Sequence, residues 1–286
     1  MPDIELRPPT PADAPELGRI CFDAFKDVSE SHGFESDFTS VEMAQNIVAG
    51  MVRDETVYGT AALVDGQLAG SNFVFKSDDA AGVGPVSVDP SRQGLGLGRR
   101  VMEDVLRYSS DSGFEMVRLV QDGFNMVSMS LYASLGFDTK APLGLIRLNG
   151  DANPDDRIRY LTPGEAGAAD DLCRAIYRIS RKNELANRTA LGMPALGIFR
   201  GGTLRGYLSP GLIGHGVAQS EGDMLALIRE AGRLSSGGTS VICPLTEGGL
   251  FRGALADGHR LVKIMNLMTL GPYEEPDGVW IPSVGF

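Results

Sequence analysis

Three glycines at alternate positions, Gly94, Gly96 and Gly98, constrain this chain more than any other feature. They follow a strand-like run, Val86-Ser87-Val88, that stops at Asp89-Pro90, and they precede a helical pattern that begins near Leu97. Glycine admits unusual dihedrals and lets a ligand approach bare main chain. The first turn of the next helix has amides without intrahelical partners, and its dipole points its positive end at the same place. Strand, glycine loop and helix start together make a backbone cradle for a pyrophosphate. Spacing excludes two common versions. A dinucleotide fingerprint counted from Gly94 needs glycine where Arg99 stands, and a P-loop needs Gly-Lys-Ser/Thr where the chain reads Gly98-Arg99. What remains is Gln/Arg-x-x-Gly-x-Gly, here Gln93-Gly94-Leu95-Gly96-Leu97-Gly98.

A second segment lies about thirty residues on: Asn125-Met-Val-Ser128-Met-Ser-Leu131-Tyr132-Ala-Ser-Leu-Gly136-Phe137. Asn125 suits a helix N-cap. Gly136 suits a left-handed helix end, with Phe137 packing beyond it. Tyr132 comes seven residues after Asn125, so the two share a helical face. The first segment resembles the coenzyme A loop of the GNAT superfamily. The second resembles its Asn-x-x-Ala-x-x-Leu-Tyr-x-x-x-Gly-Phe signature, with Ser128 in place of alanine. The likeness covers roughly residues 3–148.

That resemblance implies an α/β fold, a mixed sheet covered by helices, and direct transfer of an acetyl group from acetyl-CoA to a primary amine of a small molecule or a protein. In the strand Val86-Ser87-Val88, the backbone of Val86 and Val88 would pair with the pantetheine arm. Beyond Gln93 and Gly94, the amides of Leu95, Gly96, Leu97, Gly98 and Arg99 would hold the pyrophosphate. Asn125 would contact the cofactor, and Tyr132 would protonate the departing thiolate. The base that deprotonates the amine is unassigned: Asp89 belongs to the strand-end turn and reads first as a turn residue, Glu35, Asp37 and Asp122 lack a diagnostic context, and a water chain or an already deprotonated substrate is equally open. A sensor that holds acetyl-CoA without transferring it, and a partner-binding module, are the rival readings.

Composition narrows the setting. A net charge of −11 argues against nucleic-acid binding. No apolar run is long enough to span a membrane, and the start lacks a secretory pattern, so a cytoplasmic protein is expected. Cys21, Cys173 and Cys243 fit neither a disulfide framework nor a zinc site, and His32, His215 and His259 lack metal-ligand spacing, so no metal is expected.

The chain also repeats itself. Leu6-Arg7-Pro8-Pro9-Thr10-Pro11-Ala12-Asp13 is echoed by Ile158-Arg159-Tyr160-Leu161-Thr162-Pro163-Gly164-Glu165. The hairpin pattern Leu63–Gly70 is echoed by Phe199–Gly206. The reading is two GNAT-like domains in tandem: an acetyl-CoA-binding catalytic domain at 1–150 and a degenerate one at 157–286, joined by the polar linker Asn149–Asp156. In the first, strands are expected near 3–8, 57–64, 67–76, 83–88 and 116–121, with a strand pair at 137–148. Helices are expected near 11–26, 41–53, 97–112 and 125–135. Thr-Pro is taken as the start of each half's first helix. In the second half the chain runs from Ala218 almost directly into a helix whose start carries Glu221 and Asp223, which repel a pyrophosphate. This half would wall the acceptor site, stabilise its neighbour or form a homodimer. The tail Asp277–Phe286, with the sole tryptophan Trp280, reads as a terminal strand.

Overall fold

The computed structural model describes residues 2–285; Phe286, the end of the expected tail strand, lies outside them. The first half of the chain forms β1 (Ile4–Arg7), α1 (Ala14–Ser31), α2 (Val41–Arg53), β2 (Val57–Val64), β3 (Gln67–Phe75), β4 (Ala81–Val83), β5 (Ser87–Val88), a 3-10 turn at Pro90–Arg92, α3 (Leu97–Asp111), β6 (Val117–Asp122), α4 (Met126–Ser134) and β7 (Asp138–Arg147). The second half forms β8 (Ile158–Tyr160), a 3-10 turn at Pro163–Glu165, α5 (Ala166–Tyr177), α6 (Lys182–Ala190), β9 (Leu196–Arg200), β10 (Thr203–Leu208), β11 (Gly216–Ala218), α7 (Glu221–Leu234), β12 (Ser240–Pro244), α8 (Gly248–Ala256), β13 (Arg260–Leu270) and β14 (Val279–Ile281). This is the expected mixed α/β architecture. No described helix is long and apolar enough to cross a membrane.

The chain forms two compact units. One holds residues up to Leu119 together with Phe124–Phe137; the other holds Val120–Gly123 and the chain from Asp138 on. In the first unit β1, β2, β3 and β4 form an antiparallel meander, and β4 runs parallel to β6 through Ala81↔Val117 and Gly82↔Arg118. Alternation along β2 sends neighbouring residues to opposite faces. Ala61 joins Leu17, Cys21, Val48 and Phe73 under α1 and α2, while Ala62 and Val64 join Leu97 and Val101 under α3. Burying each large side chain fully contributes about 1.5–3 kcal/mol.

In the second unit, one sheet has the order β14-β11-β10-β9-β8. Elsewhere in the unit β7 lies between β12 and β13, with Gly144 opposite both Cys243 and Ile264. The strand pair expected at 137–148 is therefore a single strand. Pro142 suggests a turn to a reader of the sequence. Its carbonyl accepts from Leu245 N–H at 2.9 Å, past the last residue of β12, so the N–H that proline lacks falls where that ladder has ended. The expected strand at 83–88 is likewise two short ones, β4 and β5, with Gly84 at φ 138° between them.

The two echoes of the sequence are echoes of geometry. Arg7 is paired with Asp13 (2.7 Å), which also accepts from the N–H and hydroxyl of Thr10 at 2.6 and 2.8 Å. Arg159 is paired with Glu165 (2.6 Å), which accepts from the N–H and hydroxyl of Thr162 at 2.8 and 2.9 Å. The threonines thus bind the acid that follows them. In the first half Thr10-Pro11 opens a turn, and α1 starts only at Ala14.

Candidate functional site

The loop between β5 and α3 has the predicted form. Gly94 and Gly96 adopt φ 82° and 77°, a left-handed region that side chains disfavour, which accounts for two of the three glycines. Gly96 is itself the N-cap of α3, so no side chain satisfies the helix's first amides, and the first turn holds no acid. Gly98 differs. It lies inside the helix, and a Cβ there would meet nothing closer than Leu131 Cδ2 at 3.5 Å. The fold does not demand that glycine; a ligand against the helix start would. Gln93 and Leu95 are exposed, whereas Leu97 is buried with Val101, Ala62 and Ala69 and anchors the helix start to the sheet.

β5 presents a free polar edge. Ser87 and Val88 pair with Ser71 and Gly70 of β3, and Asp89 N–H donates to Ala69 C=O at 2.9 Å. Strand alternation then turns the main-chain groups of Val88, and of Val86 two residues earlier, away from β3. Among the described residues β5 pairs with no other strand. Ser87 is buried, its hydroxyl 3.2 Å from that of Ser71.

Asn125 caps α4 as expected: its side-chain oxygen accepts from Ser128 N–H at 3.0 Å. The Ser128 hydroxyl returns a bond to Asn125 C=O at 3.0 Å, so serine at this position tightens the cap. At the far end Gly136 has φ 94°; its N–H reaches Ala133 C=O and Phe137 N–H reaches Tyr132 C=O, both at 3.1 Å, a Schellman closure. Tyr132 is 7% exposed, its ring 6.1 Å from that of Phe137.

Two contacts draw α4 against the loop, and neither was read from the sequence. Arg99 donates to the Ser134 hydroxyl at 2.6 Å, and Leu131 approaches Gly98. Leu131 and Ser134 bracket Tyr132, so the same helix that touches the glycine loop carries the tyrosine. Just before Asn125, Phe124 stacks on Phe34 (centroids 4.5 Å apart) and lies 5.3 Å from the ring of His32. An aromatic triplet from two loops has no sequence periodicity to announce it.

The acids considered as bases divide. Burial works against the charge of Asp89, but bonds from Ser91 and from Arg19 outweigh it and hold the carboxyl below its ordinary range. Asp89 is the turn residue its context suggested. Asp122 is engaged by the buried Lys263 at 2.8 Å. Glu35 is exposed and Asp37 half-buried on the segment between α1 and α2. Of the other histidines, His259 accepts from Asn149 N–H at 2.8 Å, and the fully buried His215 lies between Tyr207 and Glu184.

Known proteins resemble this chain in sequence and in fold. Residues 21–137 match the model of the acetyltransferase (GNAT) family. A mycothiol acetyltransferase of Nocardiopsis dassonvillei is 34% identical over 127 residues, 44% of this chain and 35% of that protein. The chain thus spans about a third of the length of that curated relative. A putative acetyltransferase from Pyrococcus horikoshii superposes with a TM-score of 0.79 at 16% identity, covering 98% of this chain and 94% of that one. A tandem GNAT protein from the clavulanic acid biosynthesis pathway superposes with a TM-score of 0.59 at 13% identity, covering 95% of this chain and all (100%) of that one. At these identities the superpositions establish the fold.

Proposed function

We propose, on the match of residues 21–137 to the acetyltransferase (GNAT) family model, that this chain is an N-acetyltransferase, taking acetyl-CoA as donor and a primary amine of a small molecule or protein as acceptor. One observation carries the reading: a helix start built on Gly96 without a side-chain cap, beside the free edge of β5, is held against the helix that bears Tyr132. The pantetheine arm would extend the sheet along the main chain of Val86 and Val88. The amides of Leu95 to Arg99 would bind the pyrophosphate, and Asn125 would touch the cofactor from the start of α4.

In the reaction the amine nitrogen attacks the thioester carbonyl carbon, the carbon–sulfur bond breaks, and the leaving thiolate takes the phenolic proton of Tyr132. The amine's proton leaves to water, and water returns a proton to Tyr132, so the net products are the amide and free coenzyme A thiol. Asp89 and Asp122, already committed to Arg19, Ser91 and Lys263, are poor choices for that step. The domains proposed are a catalytic GNAT domain at 1–150 and a degenerate one at 157–286 without a cofactor loop. Cys21, Cys173 and Cys243 are buried and free, which suits a cytoplasmic setting. The test is release of free thiol from acetyl-CoA across a panel of primary amines. Amine-dependent thiol release supports the proposal. Tight acetyl-CoA binding with no transfer to any amine would leave a sensor in its place.

A further inference from the structure

The two halves share strand register and hydrogen bonding at the strand proposed to meet the cofactor. Gly70 and Gly206 are equivalent in the repeated hairpin. Gly70 is opposite Val88, and Gly206 is opposite Ala218. One residue on, Asp89 N–H donates to Ala69 C=O and Gln219 N–H donates to Arg205 C=O, both at 2.9 Å. Both glycines are required by close approach: an added Cβ would lie 2.6 Å from Ser87 O in one half and 2.7 Å from Ala218 Cβ in the other. Residues 216–218 of β11 are therefore the counterparts of 86–88.

The free edges of these two strands have different fates. In the second half the edge is taken: β14 pairs antiparallel with β11 through Gly216↔Ile281, Val217↔Trp280 and Ala218↔Val279. Gly216 and Ala218 are the equivalents of Val86 and Val88. We propose that β14 is a built-in stand-in for the pantetheine arm, closing the second half's cofactor slot so that each chain holds one acyl-CoA. This rests on the acetyl-CoA reading of the first half.

The slot is closed firmly. Ahead of the strand, Asp277 N–H donates to Ile176 C=O at 2.8 Å and its carboxylate pairs with Arg178 at 3.0 Å. Behind it, Ser283 accepts from the buried Arg181 at 3.1 Å, and Val284 N–H donates to Leu212 C=O at 2.9 Å. Gly278, at φ 132°, lets the chain pass Ile176, whose side chain would lie 3.2 Å from a Cβ there. Trp280, 3% exposed, stacks on Tyr177 with centroids 5.1 Å apart. The end of the slot that would meet a pyrophosphate is closed as well. Ser220 caps α7, and Glu221 and Asp223 occupy its first turn.

Trp280 is the sole tryptophan, so its emission reports β14 directly. The experiment is a calorimetric titration of the full chain with acetyl-CoA, with tryptophan emission followed in parallel. The expected result is one equivalent bound with the emission unchanged. In Gly278→Val, designed to lift the strand, the emission shifts to the red while the single equivalent binds with unchanged affinity. Two equivalents in the unaltered chain, or a red shift on addition of acetyl-CoA, overturns the proposal and leaves the first-half site standing. Loss of the single equivalent in a folded Gly278→Val chain also overturns it, because β14 would then serve the first-half site. No binding at all removes both the proposal and the acetyl-CoA reading.

Discussion

Tyr132 carries the sharpest prediction at the scale of single residues. Its phenol is the proposed proton donor to the thiolate, and a positioned acid contributes about 10²–10⁴ in rate. Tyr132→Phe should lower turnover by that factor, with acetyl-CoA affinity within about twofold of the parent; steady-state thiol release and calorimetry separate the two. A second prediction concerns Glu184. Burial pushes its carboxyl upward, but Arg181 and then His215 more than reverse this and hold it at about 2. A carboxyl depressed on folding stabilises the protein above its ordinary range, near 4.5, and loses that contribution as pH falls toward 2. Glu184→Gln leaves the buried Arg181 guanidinium without its carboxylate, so at neutral pH it should cost about 3 kcal/mol or more. Urea denaturation at pH 7 and pH 3 should show the gap between parent and variant shrinking at the lower pH. A gap that does not change with pH would refute the ion-pair account. What the sequence disclosed at this scale followed local rules. Gly94, Gly96, Asn125 and Gly136 occupy positions whose backbone or capping demands can be read from their neighbours. Ser134, Phe34 and Phe124 matter through partners that sequence distance hides.

Among the elements, α2 and β2 fall where their periodicity puts them, and β3, α3, β6 and α4 differ at the ends by a residue or two. Each has a cap, a glycine or a turn to mark it. The Schellman closure of α4 is an example with a measurable consequence. Gly136→Ala forces a side chain into φ 94° and should destabilise the first unit by about 1–2 kcal/mol, seen as a lower melting temperature. Replacing Asn125 with Ala removes the cap and should cost about 1 kcal/mol. Equal melting temperatures for parent and both variants would contradict this description of the helix ends. β7 was misread because its run of apolar residues around Pro142 has the local look of a hairpin, while its true neighbours, β12 and β13, begin at Ser240 and Arg260. No local pattern encodes a pairing across about a hundred residues.

At the scale of the whole molecule, the repeat seen in the sequence is real in geometry down to Thr10–Asp13 and Thr162–Glu165, yet the halves do not keep their strands to themselves. β7, the last strand of the first half, takes both its neighbours from the second. A fragment ending at residue 150 would leave β7 without partners and expose unpaired strand edges. It should aggregate or show no cooperative unfolding; a monodisperse fragment with a sharp transition would contradict the pairing. The glycine loop is probed by thermal unfolding with and without acetyl-CoA, using the full chain and a Gly96→Val variant whose fold is verified first. A ligand at about a hundred times its dissociation constant adds roughly 2.7 kcal/mol to the state it binds, a shift of several degrees in the first unit's transition. The parent chain should show that shift, and Gly96→Val should lose it. No shift in the parent, or an equal shift in the variant, would contradict acetyl-CoA binding at the loop.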